Sequence, residues 1–276
     1  VDPVAADRLR PPPGGAGLAA VEAARVRGHR RWRIHVGVSA AHRPVQLASA
    51  VGGPSPEPGA PVRHVTTIHA TAALELWRRL RLGVGLPLQL MAGDGLSAAG
   101  SGQGLPAAAT GDLWLGGLVS LSRDGPLWVG LSLALVLPTG DAGGFASRDA
   151  VAVCPALVVQ IEPAPWLALL GRLGAQLHAR RELLGSRWGR RLDWAVGLEH
   201  PLTWSDVPLL KRLAPFVEAC GEACGADCPG DDPLELGGGV AARLGRLRLR
   251  IHAGTGIGDA VTTPAWRLTT GVALAL

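Results

Sequence analysis

The sequence predicts an all-β protein, a transmembrane antiparallel up-and-down β-barrel of about 12 strands. Three observations support this prediction. Apolar residues alternate with polar or small ones along most of the chain, long and short connections separate the alternating segments in turn, and no run of about 18 apolar residues is present. One face of each strand is therefore expected to contact lipid, and the other face to line a polar interior.

The alternation is clearest in residues 80–90 and 127–137, where every second residue is Leu or Val. A helix would distribute such residues around its circumference, whereas a strand places them all on one face. The pattern recurs in segments that begin near residues 32, 68, 113, 153, 167, 192, 213, 234, 247 and 266. Together these segments predict the strands of the barrel.

The connections between the segments differ in length. The long ones, rich in Gly, Pro and Ser, fall near residues 42–61, 91–110, 139–149, 181–190, 220–233 and 256–264. The intervening ones fall near 77–79, 122–126, 162–165, 200–211 and 244–246, and all but 200–211 are short. Long outer loops that alternate with short periplasmic turns are typical of outer-membrane barrels. We therefore interpret residues 31–276 as the transmembrane barrel and residues 1–30 as a periplasmic lead-in segment.

Composition and motifs exclude several classes of function. The formal net charge is +5, but no basic helix or basic run with interleaved aromatic residues is present, so we expect no nucleic-acid partner. Gly254-Thr255-Gly256-Ile257-Gly258 is similar to a phosphate loop but does not connect a buried strand to a helix. No Gly-x-Ser-x-Gly motif is present. We therefore predict no enzyme activity, no cofactor and no metal site, with a membrane-embedded hydrolase as the remaining alternative.

Charged and polar residues on the inward faces are expected to line the lumen. They are Arg33, His35, His69, Glu75, Arg81, Gln89, Arg172, Gln176, His178, Asp193, Glu199, Glu218, Arg248, Arg250, His252 and Arg267. One interpretation is a charged lumen that selects solutes or gates a pore. The alternative is that these groups pair with each other and fill the interior.

Three cysteines at intervals of four residues, Cys220, Cys224 and Cys228, fall on a predicted outer loop. Because an exported chain meets oxidising conditions, we expect one local disulfide among them, with metal binding or an intermolecular thiol as alternatives. Cys154 is expected to be a small inward-facing residue.

Six tryptophans near predicted strand ends are expected to anchor the barrel at the two membrane interfaces. They are Trp32, Trp77, Trp166, Trp188, Trp204 and Trp266.

Several short strings are similar to one known family. They are Val1-Asp2-Pro3, Arg10-Pro11-Pro12, Gly28-His29-Arg30-Arg31-Trp32, Leu80-Arg81-Leu82-Gly83-Val84-Gly85-Leu86-Pro87, Gly111-Asp112-Leu113-Trp114-Leu115-Gly116, Leu137-Pro138-Thr139-Gly140, Gly254-Thr255-Gly256 and Thr263-Pro264-Ala265-Trp266-Arg267. They resemble the N-terminal barrel region of myxobacterial-type OmpA-family outer-membrane β-barrels. The resemblance implies a bacterial outer-membrane location. Members of that family often carry a C-terminal OmpA-like peptidoglycan-binding domain, and we expect this sequence to lack it, because the sequence stops at Leu276, inside or just after the last predicted strand.

Two functions remain open at this point. The resemblance favours a structural or adaptor barrel, plugged by its own side chains or by the lead-in segment, that anchors partners at the outer membrane. The alternative is a passive or gated pore for small solutes, with anions favoured by the inward arginines. Twelve strands enclose a cylinder roughly 24 Å across, with roughly 10 Å left inside the side chains. The expected partners are outer-membrane lipid, lipopolysaccharide and an envelope or cell-surface protein.

Overall fold

The computed structural model describes most of the chain. The described residues are 9, 11–45, 62–93, 104–122, 125–141, 146–147, 150–178, 181–183, 186–188, 190–203, 210–223, 232–258 and 263–276. The one helical element among them is a short 3₁₀ turn, Pro13–Gly15. Within these ranges, no helix combines the length and apolar character needed to cross a membrane.

In these ranges the secondary structure includes fifteen strands. They are β1 (Arg31–Val45), β2 (Val62–Leu76), β3 (Leu80–Ala92), β4 (Ala108–Thr110), β5 (Leu113–Ser120), β6 (Leu127–Leu137), β7 (Ala152–Ala164), β8 (Leu167–Gln176), β9 (Arg181–Leu183), β10 (Ser186–Trp188), β11 (Arg191–Glu199), β12 (Leu210–Ala223), β13 (Leu234–Leu244), β14 (Leu247–Ile257) and β15 (Trp266–Ala275).

The strands form a closed antiparallel barrel. Each barrel strand pairs with its neighbours in sequence, and β1 pairs with β15, which closes the ring. Both β4 and β5 pair with β3, so they act as one barrel strand, whereas β9 and β10 form a separate small hairpin. The result is the 12-stranded barrel that the sequence predicts, and the prediction of the fold class is confirmed.

The two faces of the barrel have opposite character. On the outer face the apolar residues are exposed: Leu131 is 53% exposed and Ile251 is 60% exposed. On the inner face charged residues are buried, and Arg81 and Glu75 are only 1% and 0% exposed. This distribution is the reverse of that in a soluble protein, where charged side chains are rarely buried and apolar ones form the core. It is the distribution expected of a barrel surrounded by lipid.

The two ends of the barrel differ in their connections. At one end the strands join through short turns, for example at residues 77–79 and 245–246, and both Arg31 and Ala275 also lie there. At the other end the connections are longer, such as those between β1 and β2 and between β6 and β7. Because periplasmic turns are short in outer-membrane barrels, we assign the end that carries Arg31 to the periplasm.

Strand β12 is longer than the sequence pattern indicates. It continues to Ala223, so Cys220 lies within a strand, in register with Ala195 of β11 and Glu235 of β13. The predicted loop position of Cys220 is therefore wrong. The reason is that small residues such as Gly221 continue the strand pairing without contributing to the apolar alternation from which strand ends were predicted.

Residues 11–28 of the lead-in segment lie inside the barrel. Leu18, Val21 and Ala24 are completely buried there, although they belong to no barrel strand. Internal order in the segment comes from the 3₁₀ turn and from an isolated bridge between Gly17 and Glu22. The division of the chain at residue 30 remains a prediction, and the segment before it occupies the lumen.

Candidate functional site: the lumen and the lead-in segment

Arg250 of β14 binds the backbone of the lead-in segment at three points. Its Nη1 donates a hydrogen bond to the carbonyl oxygen of Leu18 at 2.7 Å. Its Nη2 donates to the carbonyl oxygens of Gly17 and Gly15 at 2.7 and 3.2 Å. Since these carbonyl groups belong to no sheet, the guanidinium satisfies acceptors that would otherwise be buried without a partner.

Arg81 of β3 makes an equivalent set of contacts nearer the periplasmic end. It donates to the carbonyl oxygens of Ala23 at 3.0 Å and Arg25 at 3.1 Å. The same guanidinium lies 3.3 Å from both the Glu22 and Glu75 carboxylates. It therefore connects the lead-in segment to a buried carboxylate of the barrel wall.

Side chains of the wall also accept hydrogen bonds from the lead-in backbone. The pairs are Gly14 N to Thr71 Oγ1 at 3.1 Å, Ala20 N to Glu218 Oε2 at 3.1 Å, and Arg25 N to Gln160 Oε1 at 3.2 Å. The segment is thus bound at both its donors and its acceptors, and by side chains from several different strands.

Apolar contacts supplement these hydrogen bonds, so the interior is less polar than the sequence predicts. Leu18 and Val21 pack in a buried cluster with Phe216, and the Arg25 guanidinium lies 4.5 Å from the centre of the Trp128 ring. The prediction of a polar interior is therefore only partly right. Its error has a physical reason: inward apolar residues are needed where the lead-in segment packs against the wall.

Small inward residues leave the space that the segment occupies. A Cβ atom added at Gly197 would lie 2.3 Å from Leu18 Cδ1, and one added at Gly83 would lie 2.6 Å from Pro13 Cβ. Both distances are well inside van der Waals contact. The inner-face glycines at these positions therefore accommodate the lead-in segment.

Ion pairs connect many of the remaining charged groups of the wall. They are Arg33 with Glu75 (2.9 Å), Arg191 with Glu222 (3.1 Å), Arg267 with Glu235 (2.9 Å), Arg212 with Glu199 (2.9 Å) and Arg172 with Asp193. This pairing matches the alternative in which inward charges neutralise one another over part of the lumen.

Two cavities remain on either side of the lead-in segment. The outer chamber, of about 170 Å³, is lined by Trp114, Arg172 and Asp193 among others. The periplasmic chamber, of about 140 Å³, borders Arg25 and Glu162 and is lined by nine arginines and two glutamates in all. The lead-in segment therefore separates these two chambers, and the basic charge is concentrated in the periplasmic one.

The structure places the predicted lumen residues as follows. Inward strand positions, buried or half-buried, are occupied by Arg33, His35, His69, Glu75, Arg81, Gln89, Arg172, Gln176, Asp193, Glu199, Glu218, Arg248, Arg250, His252 and Arg267. His178 is half-buried just after the end of β8. A role of these residues in solute selection remains a prediction.

The tryptophan and cysteine predictions are tested only in part. Trp32, Trp77, Trp166 and Trp266 are exposed near strand ends, Trp188 is in β10, and Trp204 lies outside the described residues. Their anchoring role remains a prediction. Cys154 is buried on the inner face.

Of the predicted disulfide candidates, Cys220 carries a free thiol, whereas Cys224 and Cys228 lie outside the described residues. A disulfide is therefore not supported for the described part of the chain. Across the same ranges, no group of three His, Cys, Asp or Glu side chains could hold a metal ion.

Sequence reasoning did not identify the residues that hold the lead-in segment. Glu22, Thr71 and Gln160 were not among the predicted site residues, although each bonds across the interface between segment and wall. One signal was available, because inward arginines such as Arg250 outnumber the acidic residues on neighbouring strands. Unpaired arginines in a lumen require other acceptors, which here are backbone carbonyls.

No family model matches the chain, and no curated protein is similar enough in sequence to match. Solved structures do match. An outer membrane channel from Pseudomonas putida F1 has a TM-score of 0.60 at 15% identity, covering 91% of this chain and 97% of that one. The KdgM porin has a TM-score of 0.50 at 7% identity, covering 88% and 98%. The β domain of the Bordetella autotransporter BrkA has a TM-score of 0.50 at 14% identity, covering 89% and 99%.

These similarities show the fold, which is that of bacterial outer-membrane β-barrels. Together with the lipid-facing outer surface, they place the chain in the bacterial outer membrane, as the sequence predicts. They do not support the narrower resemblance to the myxobacterial-type OmpA family.

Proposed function

We propose that the protein is a gated pore of the outer membrane, through which small solutes pass when the lead-in segment moves out of the lumen. One observation carries the proposal. Residues 11–28 separate two chambers of the lumen, and none of them takes part in the barrel sheet. The segment can therefore leave without breaking any strand pairing of the barrel.

The contacts that hold the segment can be exchanged for water. Arg250 and Arg81 donate to backbone carbonyls, and both partners of such a hydrogen bond are well solvated in an open lumen. The net contribution of a hydrogen bond to a charged group is about 1.5–3 kcal/mol, far less than its strength in isolation. The closed state is thus stabilised by hydrogen bonds that water can replace and by the apolar contacts of Leu18 and Val21, whose exposure on opening has a cost.

The size of the barrel and its structural neighbours support a pore. A barrel of twelve strands leaves roughly 10 Å inside its side chains once the lead-in segment is removed. Two of the similar structures bear the names of an outer membrane channel and a porin. This reading replaces the structural or adaptor role that the sequence favours, because no observation among the described residues points to a protein partner.

The test is single-channel recording in planar bilayers of the full chain beside a chain that begins at His29. We expect the full chain to stay mostly closed with brief openings, and the shortened chain to conduct in large, stable steps. Heat-modifiable migration in gels and a β-type circular dichroism spectrum serve as the control for folding. A shortened chain that folds but does not conduct would mean that wall side chains fill the lumen, and would favour the adaptor role.

Other properties of the proposed pore follow from the sequence and remain proposals. Outer-membrane lipid and lipopolysaccharide are the partners that the apolar outer face fits. An envelope or cell-surface protein partner, membership of the OmpA family and the absence of enzyme activity remain predictions from the sequence alone.

A further inference from the structure

We propose that the periplasmic chamber binds a small oxyanion with two or more negative charges, of the phosphate type. The site lies between three arginines of the wall, Arg212, Arg243 and Arg248, and two arginines of the lead-in segment, Arg25 and Arg27. The inference rests on the proposed function and deepens it by naming the class of solute that the pore takes.

The three wall arginines form a row across adjacent strands. Arg212 of β12 is in register with Arg243 of β13, and Arg243 is in register with Arg248 of β14. Like charges placed directly opposite each other on neighbouring strands destabilise a sheet. The wall therefore carries an electrostatic cost at this row unless a negative charge lies beside it.

Within the described ranges, one carboxylate pairs with the row. Glu199 lies 2.9 Å from Arg212 and 3.8 Å from Arg248. Arg243 donates to the carbonyl oxygen of Gly245 at 3.3 Å, a neutral acceptor in the adjacent turn. The row thus keeps positive charge in excess of its carboxylate partner.

The lead-in segment adds further positive charge to the same chamber. Arg25 and Arg27 share one carboxylate, that of Glu162, at 3.0 and 3.6 Å. Counted over the whole lining of the chamber, nine arginines face two glutamates. Glu22 and Glu75 are buried and contact Arg81. The arginines still outnumber the glutamates when these two carboxylates are included.

These arginines can reach a ligand from solution. The side chains of Arg25, Arg27, Arg212 and Arg248 are 37%, 39%, 27% and 26% exposed, so each is partly in contact with the chamber. A planar guanidinium offers several N–H donors in a fork that matches the oxygens of phosphate. Several such forks around one cavity favour an anion of more than one charge, and they repel cations.

The outer chamber does not have the excess of positive charge that the periplasmic chamber has. Its four acidic residues have basic partners, and the pairs are Asp193 with Arg172, Glu222 with Arg191, Glu235 with Arg267 and Glu22 with Arg81. The contrast between a neutralised outer chamber and a basic periplasmic chamber assigns the anion site to the latter.

The test is isothermal titration calorimetry of the full chain in detergent with inorganic phosphate at constant ionic strength. We expect saturable binding of phosphate by the natural chain. In the double variant Arg243→Gln/Arg248→Gln, the affinity should fall at least about tenfold, because two charged donors are lost while Arg212 still neutralises Glu199. The matched control, Arg63→Gln/Arg190→Gln, removes the same charge from exposed positions at the opposite end and should bind phosphate as the natural chain does.

A second measurement separates a binding role from a structural one. If the row exists to bind an anion, the double variant should resist urea in phosphate-free buffer at least as well as the natural chain, because repulsion within the row is relieved. Phosphate should raise the urea midpoint of the natural chain but not that of the double variant.

Absence of saturable phosphate binding, or equal affinity in the double variant and its control, would overturn the inference. Binding is measured in detergent and needs no conduction. A failure here, with conduction by the chain that begins at His29, therefore overturns the anion site alone.

Discussion

Replacement of Arg250 by Gln is expected to raise the open probability of the channel at least about tenfold. The natural side chain donates three hydrogen bonds to the lead-in segment, at the carbonyl groups of Gly15, Gly17 and Leu18. A hydrogen bond to a charged group contributes about 1.5–3 kcal/mol net, and every 1.4 kcal/mol changes an equilibrium tenfold. Loss of one such bond is therefore enough for the expected change, and single-channel recording at fixed voltage measures it.

The control for this prediction is Arg191→Gln. Arg191 is also a buried arginine of the inner wall, but its ion-pair partner is Glu222, another wall residue, at 3.1 Å. Its replacement should leave the open probability close to that of the natural chain. If the two substitutions raise the open probability equally, Arg250 has no special part in holding the lead-in segment.

Replacement of Glu75 by Gln is expected to lower the free energy of unfolding by about 3–5 kcal/mol. The Glu75 carboxylate is completely buried and lies 2.9 Å from Arg33 and 3.3 Å from Arg81. Without it, Arg33 loses its carboxylate partner and Arg81 keeps only that of Glu22, and a buried charge that is poorly compensated is strongly destabilising. Denaturant titration of the protein folded into lipid vesicles measures the change.

The matched control is Glu162→Gln, which removes a carboxylate that also contacts two arginines. Here both side chains are more exposed than that of Glu75, 23% for Glu162 and 37% for Arg25, so water screens the ion pair. Such exposed pairs contribute about 0.2–1 kcal/mol, and the control should lose no more than this. If both variants lose the same free energy of unfolding, burial of Glu75 does not account for the strength of its ion pairs with Arg33 and Arg81.

The sequence predicts the barrel wall well because each strand is specified locally. Alternation in residues 80–90 and 127–137 is sufficient to define β3 and β6 and their lipid-facing sides, since a strand repeats every two residues. The prediction is poorer where small residues interrupt the alternation. At Cys220 and Gly221 the strand β12 continues through pairing with its neighbours, which no local pattern reveals.

The position of the lead-in segment could not be predicted in the same way. The sequence of residues 18–27 does not distinguish a short helix from an extended segment, and the main partners of the lead-in segment are distant: Arg250 is 232 residues from Leu18 in sequence. These contacts are made mostly to backbone N–H and carbonyl groups of the segment, so they leave no signature in residue types. The sequence does show an excess of arginines over acidic residues at inward positions. This excess indicates that the arginines need further hydrogen-bond acceptors, but it does not identify them.

A reversible disulfide between the lead-in segment and the wall tests directly whether the segment is the gate. A Cβ atom added at Gly197 would lie 2.3 Å from Leu18 Cδ1, an atom that Leu18→Cys removes, and its next neighbours are 3.4 Å or more away, so cysteines at these two positions lie close enough for a disulfide. The variant is Leu18→Cys/Gly197→Cys, in a chain whose natural cysteines are replaced by serine. Those natural residues are Cys154, Cys220, Cys224 and Cys228.

Single-channel currents of this variant are recorded first under oxidising conditions and then after addition of a reductant to the same bilayer. With the disulfide formed, the segment cannot leave the lumen, and we expect the channel to remain closed. Reduction should restore the openings of the natural chain, and the serine-substituted parent should not respond to the reductant. Equal currents before and after reduction, with the disulfide verified by mass spectrometry, would show that solutes pass without movement of the lead-in segment and would contradict the gated pore.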